Sequence, residues 1–255
     1  MGQRLGQHFL TDRHALHRIL GAVAPKTDDR VVEIGPGRGA LTAQLLAHVP
    51  HLDAVELDQV LAHTLQERFG SRLCCHNTDC LTFDYATLSR EYGRPLRIVG
   101  NLPYYLSSPL LFHLYGQIDH IEDIHVMLQR EFAERLAAQP GSRHYGRLSV
   151  MSAPCIQAHI LFHVSQRAFA PPPKVASSFV RLIPRHCPPF PMDDPQRFAA
   201  VVARAFQQRR KTMRHTFKAL VDEDQLRACG IEPTQRPEEL PPEAFARLAN
   251  VADPL

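Results

Sequence analysis

The stretch "RVVEIGPGRGALT", residues 30–42, decides how the first half of this chain folds. Its apolar run predicts a buried strand, and glycines at positions 35, 37 and 39 follow that strand directly. Glycine lets the backbone turn sharply and lets a ligand approach the main chain, which a side chain would prevent. The following residues, "GALTAQLLAH", have the spacing of an amphipathic helix. The stretch therefore predicts a strand, a turn that can bind a ligand, and a helix.

The same succession of strand and helix repeats over the first 130 residues. Four further apolar runs predict strands: "HLDAVEL" (51–57), "SRLCCHN" (71–77), "RPLRIV" (94–99) and "EDIHVML" (122–128). "QVLAHTLQERF" and "SSPLLFHLYGQ" predict helices between them, so the pattern indicates an open, doubly wound α/β sheet. Two later runs, "AHILFHV" and "SSFVRLI", predict an antiparallel edge. In such a sheet, ligands bind beyond the carboxyl ends of the strands, where the strand order reverses.

The glycine spacing indicates which kind of ligand that edge binds. It is G-x-G-x-G, unlike the dinucleotide fingerprint G-x-G-x-x-G, and a proline removes one amide that a phosphate could use. A nucleoside without phosphates fits better, and S-adenosylmethionine is such a ligand, with a sulfonium cation that needs carboxylates nearby. Glu33 supplies one carboxylate, Glu56 is placed for the two ribose hydroxyls, and Asp79 for the exocyclic amine of an adenine ring. The glycine turn alone also fits an ordinary strand-to-helix connection, but the three spaced acids favour the nucleoside pocket.

The fourth predicted strand ends in "GNLPYYLSSPL", residues 100–110, an unusual way to leave a core strand. The carbonyl oxygens of Asn101 and Leu102 could accept the N–H groups of an adenine amine and localise its lone pair for attack on a sulfonium methyl. Pro103 fixes the turn, and Tyr104 offers a flat face on which a base can stack. The work is positioning and electrostatics, so no strong general base is required. Tyrosines that simply fill the core are the alternative interpretation.

Composition sets the outer limits. The chain has 255 residues, a formal net charge of +3 and 44% hydrophobic residues, which suffices for a substantial core and suggests a polyanionic partner. We find no run of membrane-spanning length and no secretory signal, so the sequence predicts a cytoplasmic protein. Six cysteines show no zinc-ligand spacing, and we expect no metal.

A proline-rich segment, "PRHCPPFPMDDP", predicts a boundary between a catalytic domain at 1–184 and a helical domain at 185–255. Helical spacing follows in "PQRFAAVVARAFQQ" and "PPEAFARLAN". The second domain carries six basic residues with no intervening acid, which predicts an RNA-binding surface: Arg204, Arg209, Arg210, Lys211, Arg214 and Lys218. Arg4, Arg13 and Arg18 add positive charge near the start of the chain. A solvated helix face is the alternative interpretation of such a run.

A set of motifs resembles the ribosomal RNA adenine dimethyltransferase family over about residues 3–220. The motifs, in order, are "GQHFLTD", "VEIGPGRGALT", "VELD", "GNLPYYLSSPLLFHL", "MLQREFAERL", "YGRLSVM", "AFAPPPKVASSFVRL" and "AFQQRRKTMRHTFK". The resemblance implies a Rossmann-like S-adenosylmethionine-dependent methyltransferase fold with a small C-terminal all-helical domain. It also implies dimethylation of N6 of two adjacent adenosines in the 3′-terminal hairpin loop of 16S ribosomal RNA, in the small (30S) subunit or its precursor, by a monomer with a role in ribosome biogenesis.

The resemblance also assigns residues. Cofactor contacts carried over by motif are His8, Leu10, Gly35, Gly37, Glu56, Asp79 and Asn101. Contacts to the target base are Asn101, Leu102 and Tyr104, with Phe169 expected to close on the other face of the base, and Pro103 joins these four as a catalytic residue that fixes the turn. The chain departs from the family pattern at His8, where asparagine is usual, and at Tyr105 and Ala176.

Three alternatives remain open from the sequence. A relative that methylates large-subunit RNA and confers macrolide resistance shares the fold and a similar N-I-P-Y motif, although "NLPY" and "RRKTMR" favour the small-subunit enzyme. A non-catalytic assembly or transcription factor could keep the fold and use only its nucleic-acid surface, which the intact acids and "NLPY" disfavour. A nicotinamide-dependent oxidoreductase is disfavoured by the glycine spacing.

Overall fold

A computed structural model describes residues 8–251, and Arg4 lies outside this range. The chain forms two compact units. The first ends at Ala133 and resumes over Ala158–Pro184, and the second contains Glu134–Gln157 and the chain from Arg185 onward. The chain passes from the first unit to the second after residue 184, and residues 134–157 belong to the second unit, whereas the sequence predicts them in the first domain.

The segment 134–157 belongs to the second unit because its apolar side chains are buried there. Tyr145 and Val150 lie in the same core cluster as Phe198 and Phe245. The hydroxyl of Tyr145 donates to the carbonyl of Leu240 at 2.8 Å. Only tertiary packing brings these parts of the chain together. The proline-rich segment could therefore not reveal that residues 134–157 pack in the second unit.

Nine strands occur within residues 8–251. They are β1 Phe9–Leu10, β2 Val31–Ile34, β3 Leu52–Val55, β4 Leu73–His76, β5 Leu96–Asn101, β6 Ile121–Gln129, β7 Ile156–Val164, β8 Phe169–Ala170 and β9 Ser177–Pro184. Seven of them form one sheet in the order β4-β3-β2-β5-β6-β9-β7, and β1 pairs antiparallel with β8. The strands β2 to β6 are parallel where they pair, and β9 is antiparallel to β6. The predicted α/β sheet and its antiparallel addition are confirmed.

The order of the strands indicates where in the sheet a ligand-binding crevice is expected. From β2 the chain moves outward through β3 and β4, then returns to the other side of β2 as β5. The carboxyl ends of β2 and β5 are therefore the point at which strand order reverses, and a crevice opens there in such sheets. Every residue of β2 and β3 is buried, as expected for parallel strands covered on both faces.

Eleven α-helices surround and follow the sheet within the described residues. They are α1 Arg13–Val23, α2 Ala40–Leu45, α3 Gln59–Phe69, α4 Tyr85–Tyr92, α5 Ser107–Tyr115, α6 Arg130–Leu136, α7 Arg147–Ser152, α8 Pro195–Gln207, α9 Met213–Phe217, α10 Glu223–Ala228 and α11 Pro242–Val251. Aspartate caps fix where several begin: Asp58 accepts the N–H groups of Val60 and Leu61 at the start of α3. Asp194 caps α8 in the same way, with Pro195 in its first turn. None of the helices found in residues 8–251 has the combined length and apolar character needed to cross a membrane.

Candidate functional site

A cavity of about 780 Å³ lies at the carboxyl ends of β2 and β5, within the first unit. Its wall includes most of the residues that the sequence predicted for cofactor and base: His8, Leu10, Gly35, Gly37, Glu56, Asn101, Leu102, Pro103 and Tyr104. Glu33 lines it as well. The volume lies in the range of small-molecule sites. The structure therefore brings together residues that are up to 96 positions apart in the sequence (His8 to Tyr104).

The glycine turn forms one wall because its backbone adopts conformations that side chains disfavour. Gly35 has φ +67° and Gly37 has φ +56°. The amide of Gly35 donates to the carbonyl of Val55 at 3.0 Å, which ties the turn to the end of β3. A Cβ at Gly37 would come within 2.9 Å of a ring carbon of Phe9. Glycine is needed at position 37 both for its backbone and for this close approach.

Glu56 lies one residue beyond β3, and its carboxylate is held by two backbone amides. Gly37 donates to one oxygen at 3.1 Å and Asp58 to the other at 3.0 Å. Burial raises the pKa of this carboxyl, while the two amide hydrogen bonds act in the opposite direction. The two amides fix its orientation beside the glycine turn. A carboxylate has about four acceptor sites, so it can also accept from a hydroxyl pair of a ligand.

Glu33 lies inside β2 rather than after it, and only 2% of its surface is exposed. Burial raises its pKa to about 7, opposed by the hydroxyl of Thr42, which donates to the carboxyl at 2.6 Å. The charge of Glu56 acts in the same direction as burial. The cavity therefore contains a carboxyl group whose pKa lies near neutral, and a cation bound beside it would stabilise its anionic form.

Asn101, at the end of β5, has its amide orientation set by a residue 93 positions away. Its Nδ2 donates to the carbonyl of His8 at 2.9 Å, and this bond directs Oδ1 away from His8. The His8 ring donates from Nδ1 to the carbonyl of Pro171 at 2.8 Å, which fixes the segment that supplies this carbonyl. The asparagine oxygen is thus presented in a defined direction.

Tyr104 begins a 3-10 turn directly after Pro103, whose carbonyl accepts the N–H of Leu106 at 2.9 Å. Its hydroxyl shares a hydrogen bond of 2.6 Å with Ser177 Oγ, and its ring centroid lies 6.0 Å from that of His8. Burial raises the pKa of Tyr104, so the phenol is neutral at physiological pH. The 3-10 turn on the backbone side and the hydrogen bond at the hydroxyl therefore hold the Tyr104 ring in position, as a surface for base stacking requires.

Two predicted contact residues do not line the cavity. Asp79 follows β4, and its carboxylate accepts the N–H of Leu81 at 2.9 Å. Phe169 is 3% exposed and packs in the core of the first unit, in β8 opposite Leu10. Their predicted contacts with adenine rings stay predictions.

Sequence reasoning missed three residues that shape the site. Thr42 holds Glu33, Ser177 holds Tyr104, and Phe9 packs against the glycine turn. Thr42 carries a weak signal, because it lies on the helix that follows the turn. Ser177 is 73 positions from its partner, and no local pattern could have identified it.

The basic segment of the second unit spans the end of α8, a turn and α9. Arg204 does not belong to its exposed part, because its Nε donates to the carbonyl of Thr216 at 3.0 Å and its guanidinium lies 5.7 Å from the Phe217 ring centroid. Arg209 pairs with Glu238 at 2.7 Å. Arg204 therefore has a packing role in the second unit, and its predicted phosphate contact stays a prediction.

The other basic residues of the segment are all exposed. Arg214 lies 3.6 Å from Glu223. Arg210, Lys211 and Lys218 have no ion-pair partner among residues 8–251. These three are the free cations of the segment, and their role toward RNA stays a prediction.

Known proteins resemble this chain over nearly its full length. The family model for ribosomal RNA adenine dimethylase matches residues 2–253. The protein named ribosomal RNA small subunit methyltransferase A of Nitrosococcus oceani is 51% identical over 248 residues, covering 96% of this chain and 94% of that protein. The protein of the same name from Alcanivorax borkumensis is 48% identical over 253 residues, covering 99% and 90%.

Solved structures agree with the fold. The 23S rRNA methyltransferase ErmE superposes with a TM-score of 0.76 at 27% identity, covering 95% of this chain and 98% of ErmE. A dimethyladenosine transferase from Plasmodium falciparum has a TM-score of 0.78 at 23% identity, covering 96% and 99%, and this likeness shows the fold alone. The chain has a Rossmann-like methyltransferase sheet, the family model matches residues 2–253, and the two relatives are 48% and 51% identical to it. The chain therefore belongs to the ribosomal RNA adenine dimethylase family.

Proposed function

We propose that this protein transfers methyl groups from S-adenosylmethionine to N6 of two adjacent adenosines in the 3′-terminal hairpin loop of 16S ribosomal RNA. It acts in the cytoplasm, as a monomer, on the small ribosomal subunit or its precursor, and takes part in ribosome biogenesis. One observation carries the proposal: a single cavity joins the Glu56 carboxylate and the glycine turn to the oriented amide of Asn101 and the ring of Tyr104.

The cavity fits a nucleoside with a cationic group. Gly37 leaves no room for a Cβ beside Phe9, so the turn is shaped for close approach of a ligand to the backbone. Glu56, already oriented by two amides, can accept the two ribose hydroxyls, and Glu33 supplies a carboxyl group that a sulfonium would stabilise as an anion. S-adenosylmethionine, when bound, supplies an activated methyl group that needs no further activation.

The last residue of β5 and the residues that follow it position the target base. The Oδ1 of Asn101 and the backbone carbonyl of Leu102 accept the two N–H groups of the adenine amine, which localises its lone pair toward the methyl donor. Pro103 restricts the backbone directly after Leu102, and the His8 carbonyl keeps the Asn101 amide from rotating. The catalytic contribution is orientation and preorganised electrostatics. The methylated amine then loses a proton to solvent or to one of these acceptors.

Tyr104 supplies one face for the base. Stacking of a base on an aromatic ring is typically worth about 1–3 kcal/mol. The hydrogen bond with Ser177 holds the ring in place before the base arrives. Phe169 on the second face of the base and Asp79 at the cofactor's adenine enter the proposal through the family resemblance.

The relatives favour the small subunit over the large one. The two small-subunit methyltransferases are 48% and 51% identical to this chain, whereas the 23S rRNA methyltransferase is 27% identical. The presence of both acceptor residues, Asn101 and Leu102, and of Tyr104 in the cavity wall also argues against a factor that has lost its catalytic activity.

The decisive experiment measures the product. Small subunits lacking the modification are incubated with S-adenosylmethionine and the enzyme, and dimethyladenosine is quantified by mass spectrometry and mapped by primer extension. We expect the modification on two adjacent adenosines of 16S RNA, and a fall in rate of about 100-fold or more for Asn101→Ala. Asn250→Ala is the matched control, because Asn250 lies in the second unit, outside the cavity, and its amide oxygen accepts the N–H of Asp193. Equal rates for Asn101→Ala and Asn250→Ala, or a product only on 23S RNA, would refute the proposal.

A second experiment tests the basic segment. Replacing Arg210, Lys211 and Lys218 by glutamine should weaken RNA binding and lower the slope of log affinity against log salt by about 2, because three phosphate contacts are lost. Cofactor affinity should not change. Arg209→Gln is the control for a paired cation and should change the slope less, since Glu238 already neutralises its charge. An unchanged slope in the triple variant would show that RNA binds elsewhere.

A further inference from the structure

A second group of chemically active side chains lies outside the cavity, on the edge of the sheet formed by β3 and β4. Parallel pairing places Asp53 opposite Cys74, and His76 follows two residues later on the same face. One carboxylate oxygen, the sulfur and one ring nitrogen all lie within 4.8 Å of one another. None of the three residues lines the cavity.

The three donors form a set that suits one kind of ion. A thiolate, an imidazole and a carboxylate bind Zn²⁺ at about 2.0–2.3 Å, and three protein ligands leave a fourth tetrahedral position for water. A hard cation such as Mg²⁺ or Ca²⁺ would select oxygen ligands instead. We propose that Asp53, Cys74 and His76 form a binding site for Zn²⁺ or a similar thiophilic divalent ion.

The surroundings provide access and orientation. Cys74 is exposed and the His76 side chain is 27% exposed, so an ion can enter from solvent, while Asp53 is 5% exposed and forms the base of the site. The Asp53 carboxylate shares a contact of 2.7 Å with His76 Nε2 and accepts the Tyr92 hydroxyl at 2.6 Å. On binding, the ion takes the position of the proton between His76 Nε2 and Asp53, that proton and the thiol proton leave to solvent, and the neutral imidazole carries its one proton on Nδ1. Tyr92 keeps its hydrogen bond and orients the carboxylate from outside the ligand shell.

Binding would clamp the edge strand β4 to its neighbour. Such a clamp lies close to the cofactor-binding edge, because Asn77, the residue after His76, donates to the carbonyl of Glu56 at 2.9 Å. The absence of zinc-ligand spacing in the sequence does not bear on this site, since its ligands come from two strands and meet only through their register.

The test uses the full-length, reduced protein. We expect one equivalent of Co²⁺ to bind with a thiolate charge-transfer band in the near ultraviolet, and Zn²⁺ to displace it. Cys74→Ala should remove the band and weaken Zn²⁺ binding by more than about tenfold. Cys75→Ala is the matched control, because Cys75 is the adjacent residue on the opposite face, packed against the core. Absence of the band in the wild type, its persistence in Cys74→Ala, or its equal loss in Cys75→Ala would overturn the proposal.

A measurement on the wild type alone decides the same question if a variant fails to fold. Zn²⁺ should slow alkylation of Cys74 by more than about tenfold, while Cys187, which is also exposed, reacts at an unchanged rate. Equal rates of Cys74 alkylation with and without Zn²⁺ would exclude the site.

Discussion

Replacing Glu33 by glutamine should change how the stability of this protein depends on pH. Burial raises the pKa of Glu33 from an ordinary value of 4.5 to about 7. The folded state therefore holds a proton that the unfolded chain loses at lower pH. The free energy of unfolding of the wild type must fall as pH rises between these two values, because ionising Glu33 then favours the unfolded state.

The size of the effect follows from the two pKa values. Their difference corresponds to about 3 kcal/mol, fully developed above about pH 7 and absent below about pH 4. Glutamine has no proton to lose, and its side-chain oxygen can still accept the hydroxyl of Thr42. Other titrating groups are common to both proteins, so the difference in free energy of unfolding isolates Glu33.

The assay is urea unfolding of the cofactor-free protein, followed by circular dichroism at several pH values. Between about pH 5 and about pH 8, the variant should gain about 2–3 kcal/mol relative to the wild type. Glu91→Gln on α4 is the control, because Glu91 is exposed. The difference in free energy of unfolding between this variant and the wild type should not change with pH. Wild-type and Glu33→Gln curves that stay parallel within about 0.5 kcal/mol would refute the burial argument.

The remaining predictions concern the cavity. The wild type should bind S-adenosylmethionine more tightly as pH rises through about 7, by calorimetry, whereas the neutral product S-adenosylhomocysteine should show little change, and Glu33→Gln should remove the difference. Gly37→Ala should lower cofactor affinity by about tenfold or more, because Gly37 has φ +56° and the added carbon would meet the ring of Phe9. Gly21→Ala in α1 is the control, because the added carbon meets no described atom within 4 Å. This control variant should raise helix stability by about 0.5–1 kcal/mol. Tyr104→Ala should slow methyl transfer by about tenfold or more and Tyr104→Phe much less, since the ring stacks and the bond with Ser177 only positions it; equal losses would point to the hydroxyl.

Local patterns were sufficient for the sheet and the turn. Apolar runs and the helices between them predicted the parallel strands, because a strand covered on both faces must be apolar along its length. The glycines at 35 and 37 were recognisable because few other residues adopt φ values of +67° and +56°. Asn101 was recognisable because a polar amide and a proline end a buried strand at the carboxyl edge.

Contacts between distant segments were not predictable. Residues 134–157 belong to the second unit, the Arg204 guanidinium lies over the Phe217 ring in that unit, and Phe169 is buried in the core of the first unit. Each of these contacts depends on which segments pack together when the chain folds. The spacing of residues along the chain does not indicate which distant segments come into contact.

The sequence by itself determined the order of strands and helices, the glycine turn after β2 and the asparagine that ends β5. These depend on backbone preferences and on residues close together in the chain. Only the tertiary structure decided that the His8 carbonyl orients Asn101, that Glu33 is buried deeply enough to titrate near neutral pH, and that Asp53 meets Cys74 and His76. Each of these depends on desolvation or on register between strands, and both come into being only when separate parts of the chain pack together.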